Sequence, residues 1–104
     1  MKWPQVALDL LAAREVIRER GWTQEYGHPG SPRCATGAID EIILLGRRHW
    51  PIRRLAIDAI AATVGCHPSG SSIGFWNDAK ETTKAEVEAA FDEATSLVLS
   101  EANR

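Results

Sequence analysis

Four arginines crowd the segment GRRHWPIRR, residues 46–54, around the start of a predicted helix. Cations placed there suit an acidic protein surface or a small anion, because the unpaired N–H groups of a helix N-terminus already favour negative charge. His49 adds charge below about pH 6.5. Trp50 offers an aromatic anchor beside Arg47, Arg48, Arg53 and Arg54. The segment also imitates a helix-turn-helix, with Gly46 in the turn and Arg53 and Arg54 early on a would-be recognition helix. That helix is too apolar for a DNA groove, and the connection exceeds the usual roughly three or four residues. Nucleic acid is therefore the less favoured partner. The plain alternative is that these charges are solvated or pair with an acidic last helix, where Glu86, Glu88, Asp92 and Glu93 cluster.

Cys34 is the candidate nucleophile. With Ser31 as N-cap and Pro32 as the first helical residue, Cys34 falls in a first turn beside Arg33. The helix dipole and the guanidinium both favour a thiolate there, and His28 in the preceding loop is a candidate base. No third group orients that pair, and no glycine-rich oxyanion element stands out. Close packing of a small cysteine is the simpler role, as Gly37 one turn later implies, so no catalytic residue is expected. Cys34, Cys66, His28, His49 and His67 supply metal donors in number, but no Cys-x-x-Cys and no histidines one turn apart. Nothing resembles a phosphate-binding glycine loop. The expectation is no metal and no cofactor.

FWNDAKETTKAEV, residues 75–87, has the composition of a turn running into a helix. Trp76 reads as a core anchor. Asn77 and Asp78 suit a turn, since their short side chains bond nearby backbone groups. Thr83 and Glu86 have capping-box spacing. Asp78 and Glu81 repeat it one turn earlier, which predicts a short extra turn before the last helix.

These groups need elements to hold them. Trp3, Val6, Leu10, Ala13 and Ile17 recur at three- and four-residue steps, predicting a helix from about Trp3 to Arg20 stopped by Gly21. WTQEYGHPGSP is a loop by its glycines and prolines. A second helix is predicted from Pro32 to Leu45, ending at Gly46. A third runs from Trp50-Pro51 to Val64; apolar almost all round, it must lie centrally or at a subunit interface. GCHPSGSS, residues 65–72, reads as a loop. The last helix, from about Thr83 to Ala102, turns Val87, Ala90, Phe91, Ala94 and Val98 inward. No stretch alternates with period two, so the expected fold is all-α: one domain over residues 1–104, a bundle of four main helices.

An apolar fraction of 44% among 104 residues allows a real core, and a net charge of −2 argues against a dedicated nucleic-acid binder. The charge is uneven. Residues 1–54 hold nine Lys/Arg against six Asp/Glu, and residues 55–104 hold three against eight. Such polarity steers partners and favours head-to-tail association, which keeps a small homo-oligomer open. Asp9, Arg14 and Glu15 interrupt the N-terminal stretch where a signal peptide needs apolar residues. No run approaches the roughly 18 residues of a membrane span. The expectation is a cytoplasmic protein with reduced cysteines and no membrane association.

GWTQ at 21–24, CATGA at 34–38 and WNDAKETTKAEV at 76–87, in that order, resemble a family of small helical proteins from actinobacteria and their phages. Its pattern is Gly-Trp-Thr, Cys-x-x-Gly-Ala, Trp-Asn-Asp, a Thr, and Glu-Val. The match runs from residue 6 to about 98. It implies a helical domain and brings no known activity, so no catalytic residue is carried across; the RRHWPIRR segment lies outside the pattern. Together these readings point to a non-enzymatic interaction protein that binds through the basic segment and, in a phage, modulates a host factor. A small-anion or nucleotide-binding oligomer and a DNA-binding regulator are the alternatives.

Overall fold

Helical periodicity over most of the chain gives a computed structural model that describes residues 3–24, 34–46 and 50–102. Five helices follow one another: α1 (Trp3–Arg20), α2 (Ala35–Leu45), α3 (Trp50–Val64), α4 (Gly70–Asp78) and α5 (Lys84–Ala102). No strand occurs among the described residues.

On α1, Val6, Leu10, Ala13 and Ile17 are all fully buried, so the stripe foreseen from their spacing is the face that packs. On α5, Val87, Ala90, Phe91, Ala94 and Val98 are buried in the same way. α1 and α5 lie side by side and antiparallel: Arg14 reaches Asp92 and, one turn on, Arg18 reaches Glu88 one turn back. α3 packs against each of the other four helices, which explains its lack of a broad polar face. Its Ile52, Ala56, Ile57, Ile60 and Ala61 join the common core. Removing such side chains from water is the main force holding the bundle, at about 1.5–3 kcal/mol for each large one fully buried.

Local signals set where the helices stop. Gly21 and Gly65 have φ of 94° and 75°, a left-handed turn that glycine adopts without steric cost. The Gly21 N–H donates to Ile17 O and the Gly65 N–H to Ala61 O, both at 2.9 Å. Gly46 ends α2 differently, with an ordinary φ of −81°.

Two boundaries depart from the sequence reading. α2 begins at Ala35, and its N-cap is Cys34 in extended backbone; the expected Ser31-Pro32 start lies outside the described residues. The larger departure is α4, which begins at Gly70 inside the stretch 65–72 that read as a loop and runs to Asp78, which was expected to open a turn. Ser69 caps it: with φ −144° and ψ 153°, its Oγ accepts from the Ser72 N–H at 3.1 Å. Ile73 and Asn77, four residues apart, are both fully buried, so tertiary burial holds a helix that its glycines and serines would not. Asp78 closes α4 instead of capping a turn, and Ala79 follows as C-cap.

Candidate functional site

Asn77 is the polar centre of the molecule. Its Oδ1 accepts from the Trp22 indole N–H at 2.7 Å and from the Ala35 backbone N–H at 3.0 Å. Its Nδ2 donates to Thr23 O at 3.1 Å and to Asp78 Oδ1 at 3.0 Å. An Asn amide has two acceptor positions and two donors, so all are taken by the protein itself. The bond to Ala35 also supplies an acceptor to the first N–H of α2, which has none within its own helix. Gln24 serves the other terminus: its Nε2 donates to Ala79 O at 2.8 Å and to Asn77 O at 3.3 Å, at the end of α4. One side chain thus joins the segment after α1, the start of α2 and the last turn of α4. No donor or acceptor on it remains for a substrate.

Trp76 is partly buried against the core, and its carbonyl accepts from the Thr82 hydroxyl at 2.7 Å. Thr83 Oγ1 accepts from the Glu86 N–H at 3.2 Å at the start of α5.

Cys34 Sγ accepts from the Gly37 N–H at 3.3 Å and lies 3.5 Å from the Thr36 hydroxyl. It stands before the helix, not in its first turn. His28 and Arg33, its expected neighbours, lie outside the described residues. Cys66 is likewise a free thiol, and desolvation pushes it above its usual pKa. Among the described residues, no three of His, Cys, Asp and Glu are grouped as metal ligands. No helix is long and apolar enough to cross a membrane among those residues.

Arg47, Arg48 and His49 lie outside the described residues, as does the side chain of Trp50. The other two basic residues sit in the early turns of α3. Arg53 forms an ion pair with Asp40 on α2, and Arg54 pairs with Asp58 one turn along its own helix at 3.2 Å. For Arg53 and Arg54, these pairs stand in place of the alternative of pairing with α5. Glu88 and Asp92 instead meet Arg18 and Arg14 of α1, because α1, not the start of α3, lies along that part of α5. Asp92 and then Glu15 hold the Arg14 guanidinium still further above its usual pKa by hydrogen bonding.

Glu86 and Glu93 make no ion pair among the described residues. Together with Ala89, Ala90, Trp76 and the last two residues of α3 they line a groove of about 260 Å³. The sequence showed these glutamates only as an acidic cluster; that two of them share a groove with an indole needed the fold.

A family model described as a family of unknown function, DUF6197, matches residues 1–97. The chain belongs to this family. No curated protein and no solved structure matches it. In this DUF6197 member, GWTQ, CATGA and WND come together around Asn77. Trp22 and Gln24 were missed as members of that cluster. The signal for Trp22 was its indole N–H, which a packed tryptophan must place on an acceptor.

Proposed function

We propose that the protein is a non-enzymatic interaction module that engages an acidic protein surface through the arginine-rich start of α3. The observation that carries this reading is the contrast between a closed centre and an open edge. Asn77 spends every hydrogen-bonding position inside the fold, while the Arg54 side chain is 58% exposed beside a helix N-terminus. Exposed ion pairs such as Arg54–Asp58 contribute about 0–1 kcal/mol, so an acidic partner competes with them readily. Arg47, Arg48, His49 and Trp50 immediately precede these residues in the sequence and add to the basic and aromatic character of the segment. The polarity of charge along the chain supports this direction of recognition. We place the protein in the cytoplasm of an actinobacterium or its phage, acting on a host factor, on the strength of the motif resemblance.

The test is fluorescence anisotropy with a labelled poly-glutamate peptide, set beside duplex DNA. The peptide should bind at low salt, weaken as salt rises, and be lost in Arg53→Glu with Arg54→Glu. DNA binding that is tighter, with a steep logarithmic salt slope, would replace this reading with nucleic-acid recognition.

A further inference from the structure

α3 and α5 run antiparallel. Leu55 and Asp58, early on α3, share a groove with Leu97 and Glu101, late on α5. Thr63 and Val64, at the end of α3, share the second groove with Glu86 and Glu93, early on α5. Arg53 and Arg54 therefore sit near one end of α3, and the groove of Glu86 and Glu93, which make no ion pair among the described residues, lies at its other end. From Arg54 to Thr63 the helix rises about 14 Å, and the arginines are engaged at their own end by Asp40 and Asp58.

We infer that the groove between Glu86, Glu93 and Trp76 receives the arginines of a second copy, so that copies join head to tail. This rests on the reading of the α3 start as a surface for an acidic partner, and names that partner. The groove has the parts a guanidinium requires. Two carboxylates without ion pairs among the described residues line it beside small alanines, and Trp76 lines it too, an aromatic of the kind a planar cation stacks on. A guanidinium has donors to spare beyond one carboxylate, so Arg54 can keep Asp58 and still engage a neighbour. The glutamates occupy positions seven apart on α5, two turns of one face, which presents both to the same incoming element. Because the two surfaces differ and lie at opposite ends, the association is heterologous; it closes into a ring or continues as a filament according to the rotation at each step.

Sedimentation equilibrium tests this. The wild-type mass should grow with concentration at about 0.01 M salt and return to monomer at about 1 M, where screening is nearly complete. Arg53→Glu with Arg54→Glu, and separately Glu86→Lys with Glu93→Lys, should each remain monomeric while keeping the wild-type far-UV spectrum. The corresponding Gln pairs serve if a charge reversal fails to fold. Each Gln pair should weaken self-association at least tenfold, and one that self-associates like wild type overturns the inference. Mixed, the arginine variant still has its groove and the glutamate variant still has its arginines, so the two should form one-to-one dimers that grow no further. A wild-type chain that binds poly-glutamate through its arginines yet stays monomeric at low salt overturns the head-to-tail inference and leaves the proposed function standing. A chain that does neither overturns both. Self-association that survives both variants, or variants that fail to pair on mixing, overturns the inference alone.

Discussion

The Trp22 indole N–H donates to Asn77 Oδ1 at 2.7 Å across 55 positions of the chain. That bond fixes the exit of α1 on the last turn of α4, and the same oxygen takes the first N–H of α2. An amide does here what a buried apolar side chain cannot, since it satisfies polar groups from three segments at one point.

Asn77→Ala should therefore cost about 2 kcal/mol or more, because it strands the buried Ala35 N–H, at about 1–3 kcal/mol for a buried unpaired group, and the partly buried Trp22 N–H and Thr23 O at less each. Urea unfolding followed by circular dichroism measures it. A loss below about 1 kcal/mol would show that water replaces the amide and that the centre is not closed. Asn77→Asp should also be destabilised, more so at neutral pH than in acid, because it puts a carboxylate at a fully buried position and loses both Nδ2 donors.

Helix caps give a second prediction. Ser69→Ala and Thr83→Ala should each cost about 1 kcal/mol, while Ser69→Gly should cost only a few tenths. Cys34→Ser keeps an acceptor for the Gly37 N–H and should stay within about 0.5 kcal/mol of wild type, with Cys34→Ala lower. Thermal melts of the five variants decide it. If Cys34→Ser is as damaging as Cys34→Ala, the sulfur is held by packing and not by its cap.

Desolvation raises the Cys66 thiol pKa above its unfolded value. The folded state therefore holds that proton more tightly, and the stability linked to it is whole below the unfolded thiol value, about 8.5. It is lost as pH rises from there through the folded value. Unfolding free energies measured across this range should decline, and Cys66→Ser should flatten part of the decline. Alkylation at about pH 8.5 should be slower in the native protein than in urea.

Much of this architecture was legible because two long helices keep strict apolar spacing. Val6, Leu10, Ala13 and Ile17 on α1, and Val87 through Val98 on α5, needed only the helical period to be assigned inward. α3 was legible as central from its missing polar face. α4 was not, because GSSIGFWND is rich in glycine and serine and its order comes from the Ser69 cap and from Ile73 and Asn77 entering the core. The turn-forming habit of Asn77 pointed to structure, but its partners at 22, 23 and 35 are remote in sequence and no local rule names them. Arg53 and Arg54 stood out by type, whereas their partners Asp40 and Asp58 followed only from how α2 meets α3 and from one turn of helix.

Asn77 also holds both ends of the stretch between α1 and α2: Trp22 and Thr23 on one side, Ala35 on the other, all within hydrogen-bond reach of a single amide. The covalent link over residues 25–33 thus spans points already fixed beside each other by the fold. Lengthening it adds only a slowly growing closure entropy, about 0.6 kcal/mol for each doubling. The chain is on these grounds a natural candidate for cutting there into two fragments that reassemble on the amide, or for carrying a guest sequence between them.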